Sequence, residues 1–259
     1  FLYYPEATWL YGKAQLQRDL RIVMTEKYIV TGCDLNTEWQ LPWFVSNLKS
    51  VYKGKLIIAD FGMTPEMRRW ASKNSDYVMD VEGKGWFSKI ETMVKVQKYF
   101  FGDFCWLDTD CQVNSDPSGI FNYVLPNKLT MVVDHPWTEN GSPWTPQGNC
   151  GPWYNTGVVA FKREQSNTPL NILGRWLDEV RQSGTHRGDQ EAIYHILNEH
   201  IQHRMLYVSE APHRFNTLRL DVEQGRVAHG SSPVVMHWTG AKGNKEIWKQ
   251  VRAMGHTNL

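Results

Sequence analysis

The chain has 259 residues and a net charge of +1, which suits one large domain or two fused lobes. So small a charge gives no electrostatic footprint for nucleic acid or an anionic membrane surface. The apolar runs fall far short of the roughly 18 residues of a membrane span, and the twelve Trp and eleven Tyr offer rings for a core or for stacking on sugars.

Residues 1–24 read as an aromatic-rich lead-in with a helical pattern around 13–22. No basic region followed by an apolar stretch marks a signal peptide. The chain starts at Phe1 without Met, so the compartment stays open: cytoplasm, or a secretory lumen with an anchor removed. Residues 27–31 form a first strand, and Gly32-Cys33-Asp34 turns away from it. Asn36 or Thr37 caps a helix over 39–51 with Pro42 in its first turn. A second strand, 55–60, ends in Asp60, and Thr64-Pro65 opens the next helix. Residues 77–79 make a short strand and 88–101 a helix with Ile90, Met93, Val94, Gln97 and Phe101 on one side. Such alternation over 27–110 predicts a parallel, doubly wound half. Neither a Rossmann glycine fingerprint nor a P-loop is present, so phosphate must be neutralised in another way.

The next strand, 104–107, runs into Asp108-Thr109-Asp110. Side chains at i and i+2 of a strand point the same way, which predicts that Asp108 and Asp110 converge at the C-terminal sheet edge, where open α/β sheets bind ligands. Two close carboxylates repel unless a hard divalent cation or a basic group lies between them. The hypothesis is a metal-held diphosphate, and the plain alternative is a solvated acidic turn. Cys33, Cys105, Cys111 and Cys150 lack zinc-site spacing; Cys105 and Cys111 read as small buried residues. Asn140-Gly141-Ser142 has the form of a glycosylation sequon weakened by Pro143.

In the second half, 129–133 is a strand and 134–153 a long loop dense in Pro, Gly and Trp, of the kind that is functional or disordered, with His135 inside it. Residues 154–161 form a buried strand, 169–183 a helix, and Gly188-Asp189-Gln190 opens another helix to residue 200. Residues 204–208 and 233–237 read as strands, and 244–252 as a closing helix. No internal repeat is visible.

Four elements now stand in order: Asp108-Thr109-Asp110, Asn155-Thr156-Gly157, Asp189-Gln190 and His237-Trp238-Thr239-Gly240-Ala241-Lys242. In this the chain resembles the GT-A glycosyltransferases, especially the retaining glycogenin-like and bacterial lipopolysaccharide galactosyltransferase family, over roughly residues 27–250. The spacing from His237 to Lys242 is one residue short of the usual, Glu191 replaces a common second Asp, and the Pro-Trp after the lysine is missing.

The resemblance implies an α/β GT-A fold with a mostly parallel sheet flanked by helices. It also implies a single domain with a nucleotide and metal lobe at 25–115 and an acceptor lobe at 116–259. Asp108, Asp110 and His237 would hold Mn²⁺ or Mg²⁺; one imidazole among oxygens favours manganese. Thr31, Asp34 and Asp60 would lie near uracil and ribose, with Asp34 equally a helix cap. Lys89, Thr109, Gly240 and Lys242 would serve the diphosphate or sugar, and Asn155, Asp189 and Gln190 the transferred sugar. Lys89 and Lys242 read equally as solvated lysines, and Asp189 as an N-cap. The implied activity is transfer of a hexose or pentose from a UDP-sugar to a glycan acceptor, with retention of configuration. Two other classes are a sugar-1-phosphate nucleotidyltransferase and a Trp-rich carbohydrate-binding protein without chemistry.

Overall fold

A computed structural model of the chain describes residues 26–82, 85–134, 152–163, 171–183, 188–200, 202–227 and 232–255. The 13–22 helix, most of the tryptophan loop, His135, Cys150, the sequon and the first residues of the 169–183 helix lie outside these ranges.

The parallel half forms as its apolar runs dictate. Strands β1 (Lys27–Cys33), β2 (Lys55–Asp60) and β3 (Tyr77–Asp80) pair in parallel, as do β1 and β4 (Asp103–Leu107). Their crossovers are helices α1 (Leu41–Val51), α2 (Pro65–Asn74) and α3 (Ser88–Tyr99). Helix α1 starts later than expected, behind a short 3-10 turn at Glu38–Gln40. Helix α2 starts where Thr64 and Pro65 direct it: the Thr64 hydroxyl accepts from the Met67 amide at 3.2 Å.

After β4 the chain turns through Asp108 to Asp110, with the Cys111 amide donating to the Asp108 carbonyl at 3.0 Å. Strand alternation therefore does not govern the acidic pair. A short strand β5 (Cys111–Val113) and a 3-10 segment (Pro117–Tyr123) follow. Strand β6 (Leu129–Asp134) leads to β7 (Trp153–Lys162), which is buried along all but its last residue and runs antiparallel to both β4 and β6. This reversal places Val158, midway along β7, opposite Leu107 at the end of β4, so the residues of β7 before it run on past that end.

Helices α4 (Ile172–Ser183) and α5 (Asp189–Asn198) cover one face. Residues expected as a strand at 204–208 instead form a one-turn helix α6 (His203–Tyr207) before β8 (Val208–Glu210). The segment lacks strict alternation, and Met205 and Leu206 are exposed. Strand β9 (Thr217–Leu218), helix α7 (Arg219–Glu223), β10 (Val235–His237) and helix α8 (Gly240–Ala253) complete the chain.

The described residues thus build a seven-stranded sheet in the order β3-β2-β1-β4-β7-β6-β8 and a small β5-β10-β9 sheet at its edge. One core cluster lies on each side of the main sheet, centred on Trp43, Phe44 and Phe215 on one side and Trp106, Phe161 and Trp176 on the other. Cys33, Cys105 and Cys111 are free and buried.

Candidate active site at the sheet edge

A cavity of about 620 Å³ opens where β1, β4 and β10 end and β7 begins. It receives the Asp108–Asp110 turn, Lys89 from α3, Asp134 from the end of β6, Asn155 to Gly157 from β7, Asp189 and Gln190 from α5, and His237 from β10.

The two carboxylates of the turn face different partners. Asp108 accepts from the Trp106 indole at 2.6 Å and lies 3.1 Å from the Lys89 ammonium. The same ammonium reaches Asp189 at 2.7 Å and the Thr156 carbonyl at 3.0 Å. Burial alone would lower the Lys89 pKa; Asp108 and Asp189 outweigh it and hold the value above the ordinary lysine range. Lys89 is 5% exposed, so it is a buried bridge between two acids and not a solvated helix lysine.

Asp110 turns the other way, to the His237 Nε2 at 3.1 Å. Burial pulls the His237 pKa down, but Asp110 and then Asp108 bring it above the usual histidine value. The donor atoms of Asp110, Cys111 and His237 lie within 4.8 Å of one another; Asp108 is not one of this close group. Mutual repulsion of the acids is relieved by a lysine on one side and an imidazole on the other. A carboxylate facing an imidazole nitrogen, with a second carboxylate on the same turn and both acids partly open to the cavity, is a donor set that suits Mn²⁺.

Below these groups runs a buried polar chain. Asp134 accepts from Gln190 at 2.9 Å and from Asn155 at 3.3 Å. Asn155 accepts from the Gly157 amide at 2.9 Å and from the Asn216 side chain at 2.8 Å. The Asn216 oxygen meets the His237 Nδ1 at 3.1 Å. Burial pushes the Asp134 pKa up, against the two hydrogen bonds it accepts, and among the described residues its Oδ1 is buried without a hydrogen-bond partner. Asp134 and Asn216 escape a reading of sequence for different reasons. Asp134 carries the same signal as Asp60, an acid closing an apolar strand, whereas Asn216 carries none.

The remaining candidates divide. Gly240 lines the cavity, in a left-handed conformation with φ of 73° at the start of α8. Asp34 lines it too, while its carboxylate accepts from the amides of Asn36 at 3.0 Å and Thr37 at 3.1 Å. It closes a turn and is not the helix cap, since Thr37 stands at the cap of the 3-10 turn and Gln40 at that of α1, neither with a side-chain capping bond. The Thr109 hydroxyl is spent on Gln40 at 2.6 Å, and Gln40 donates to Asn244 of α8 at 3.0 Å. Thr31, Asp60 and Lys242 are not cavity-lining residues. Thr31 is fully buried because β1 extends two residues beyond it. Asp60 closes its own turn through the Gly62 and Met63 amides at 2.8 and 2.7 Å and pairs with Arg68. Lys242 is exposed on the first turn of α8. Gln190 is not a surface residue but a cavity-lining one, and Asp189 is the first residue of α5 behind Gly188, which occupies the cap position.

No protein-family profile matches the sequence, and no curated protein matches it. Solved structures do. A galactosyltransferase, LgtC, in complex with donor and acceptor sugar analogues superposes with a TM-score of 0.60 at 14% identity, over 87% of this chain and 95% of that one. An active-site Gln→Glu variant of LgtC gives 0.60 at 13% identity, over 88% and 95%. The apo glycosyltransferase GlyE of Streptococcus pneumoniae TIGR4 gives 0.58 at 13% identity, over 88% of this chain and 60% of its own. The chain therefore has the GT-A-like α/β fold of these glycosyltransferases.

Proposed function

We propose that the protein is a metal-dependent glycosyltransferase that moves a sugar from a UDP-sugar to a glycan acceptor with retention of configuration. The observation that carries this reading is the Asp110–His237 pair at 3.1 Å beside Asp108, Lys89 and Asp189 in one cavity at the C-terminal sheet edge. A Trp-rich binding protein has no use for such a constellation. Trp153, the described tryptophan nearest the long loop, packs against Tyr194 at 4.6 Å between ring centres.

Asp110, His237 and Asp108 would hold Mn²⁺ or Mg²⁺, which when bound neutralises charge on the departing diphosphate as a Lewis acid. The remaining chemistry belongs to the chain. Backbone N–H groups at the start of the 14-residue helix α8, with Gly240 leaving room for close approach, favour an anion. Lys89 supplies buried positive charge beside Asp189 for the leaving group or the sugar hydroxyls. Gln190 gives its amide hydrogen to Asp134, which turns its carbonyl oxygen to the sugar. An amide oxygen is a weak nucleophile, so this favours front-side attack by the acceptor over a covalent intermediate. The LgtC variant replaces a glutamine of that enzyme's active site, which supports a glutamine in this place. The unpartnered Asp134 oxygen suits a sugar hydroxyl. Residues 25–115 would form the nucleotide and metal lobe and 116–259 the acceptor lobe.

Hydrolysis of a panel of UDP-sugars with Mn²⁺, followed by NMR of the anomeric product, tests donor and stereochemistry together. Asp110→Asn is expected to cut turnover by at least about 100-fold with the fold intact by circular dichroism. A fully active Asp110→Asn protein would refute the site.

A further inference from the structure

The buried chain from Asp134 to His237 has a polarity that can be worked out from its fixed ends. The Gly157 amide can only donate, so the atom of Asn155 that meets it at 2.9 Å is the side-chain oxygen. That same oxygen faces Asn216 at 2.8 Å, which obliges Asn216 to present its NH₂ there. The oxygen of Asn216 is thereby turned to His237 Nδ1 at 3.1 Å. An acceptor at that position requires Nδ1 to carry a proton. With Asp110 Oδ1 3.1 Å from Nε2 the ring faces acceptors on both sides, so a cation at Nε2 would displace the proton there and leave the one on Nδ1. At the other end Asp134, an acceptor when ionised, takes the Asn155 NH₂, which agrees with the same polarity. Neither amide can flip without breaking a bond to a group that cannot reverse.

The imidazole is also confined sterically. A Cβ on Gly157 would lie 2.0 Å from His237 Cε1 and 2.5 Å from Nδ1, closer than any real contact, so the ring lies flat against a glycine backbone. Asn216 is 1% exposed and His237 4%, which keeps Nδ1 away from bulk water and leaves the Asn216 oxygen as its partner.

Resting on the cation reading of the site, we infer that Asn216 is a positioning residue: through Asn155 and the Gly157 amide it fixes the proton of His237 on Nδ1 and keeps the Nε2 lone pair for the cation beside Asp110. The Asn155-Thr156-Gly157 run then serves the histidine first, with Gly157 as its seat and Asn155 as the reference for its tautomer. A partner on the second nitrogen that sets tautomer and ring orientation is worth about 10–100-fold in metal affinity.

The test pairs two measurements on the full chain. Mn²⁺ binding in the presence of UDP is followed by electron paramagnetic resonance, and ¹⁵N NMR of the protein loaded with UDP and diamagnetic Mg²⁺ reads which ring nitrogen of His237 holds the proton. Asn216→Ala is expected to weaken Mn²⁺ about 10–100-fold and to lose the single Nδ1–H signature. Asn216→Asp keeps the acceptor for Nδ1 but gives up the donor to Asn155. It is expected to keep the Nδ1–H signature and to bind Mn²⁺ more tightly than Asn216→Ala, a partial rescue that a purely structural role would not produce. Equal loss in both variants, unchanged affinity in Asn216→Ala, or a wild-type proton on Nε2 overturns the inference. The wild-type spectrum decides even if the alanine variant does not fold. A wild-type protein that binds no Mn²⁺ overturns the cation reading instead, an outcome distinct from Mn²⁺ binding that Asn216→Ala leaves unchanged.

Discussion

Asp134 is the residue where folding and chemistry pull in opposite directions. It is 7% exposed, and burial holds its carboxyl above the ordinary value of 3.8 against the hydrogen bonds from Gln190 and Asn155 and the charge of His237. A carboxyl with a raised folded pKa stabilises the protein below its unfolded pKa, and that contribution is lost as pH rises through the folded value. At neutral pH the ionised group is therefore a cost. Asp134→Asn should melt at a higher temperature than wild type at pH 7, and the gap should close as the pH falls from the raised folded value to about 3.8. Thermal scans across that range check it, and a lower melting point at pH 7 would contradict the account. If the sugar-hydroxyl role holds, the same variant loses turnover, the usual exchange of stability for function. Sequence alone marked Asp189 and Gln190 but not the acid that orients Gln190. A lone carboxylate after Val133 gives no hint of which distant amide will reach it.

At the level of elements, local signals fixed some starts and missed others. Thr64-Pro65 announced α2 because the cap and the proline act within four residues of each other. Helix α8 begins four residues before its expected start, at Gly240; Gly240 takes a left-handed conformation there, and Gly243 serves packing. Gly243 is buried, and a Cβ there would lie 1.9 Å from the Trp238 carbonyl oxygen, a backbone atom with no freedom to withdraw. Gly243→Ala is thus expected to cost about 1–3 kcal/mol, read as a lower melting temperature, despite alanine's better helix propensity. An unchanged or raised melting point would mean that α8 shifts freely. The Asp108–Asp110 stretch shows the complementary failure. Two-residue periodicity pointed to the right edge for the wrong reason, since the stretch is a turn and each acid finds its own basic partner.

Across the whole molecule, the order of the motifs was legible and their assembly was not. Nothing in the spacing says that β7 reverses direction, yet that reversal puts Asn155 to Gly157 against the end of β4 and under His237. The assembled site also predicts a thermodynamic signature. UDP and Mn²⁺ together, each at 100 times its dissociation constant, should stabilise the fold by at least about 2.7 kcal/mol. Calorimetric scans should show the gain with both ligands and lose most of it in Asp110→Asn. An equal gain in that variant would place the nucleotide elsewhere.

Strands β6 and β7 are hydrogen-bonded neighbours, with Asp134 opposite Trp153, and both residues reach the same cavity. Both ends of the stretch that joins them are thus held by the β6–β7 ladder. Such a stretch can be rewritten or lengthened over generations without disturbing the ladder beneath, much as a tool head is changed on a fixed handle. Diversity among acceptors would then accumulate there, while the nucleotide half stays as it is.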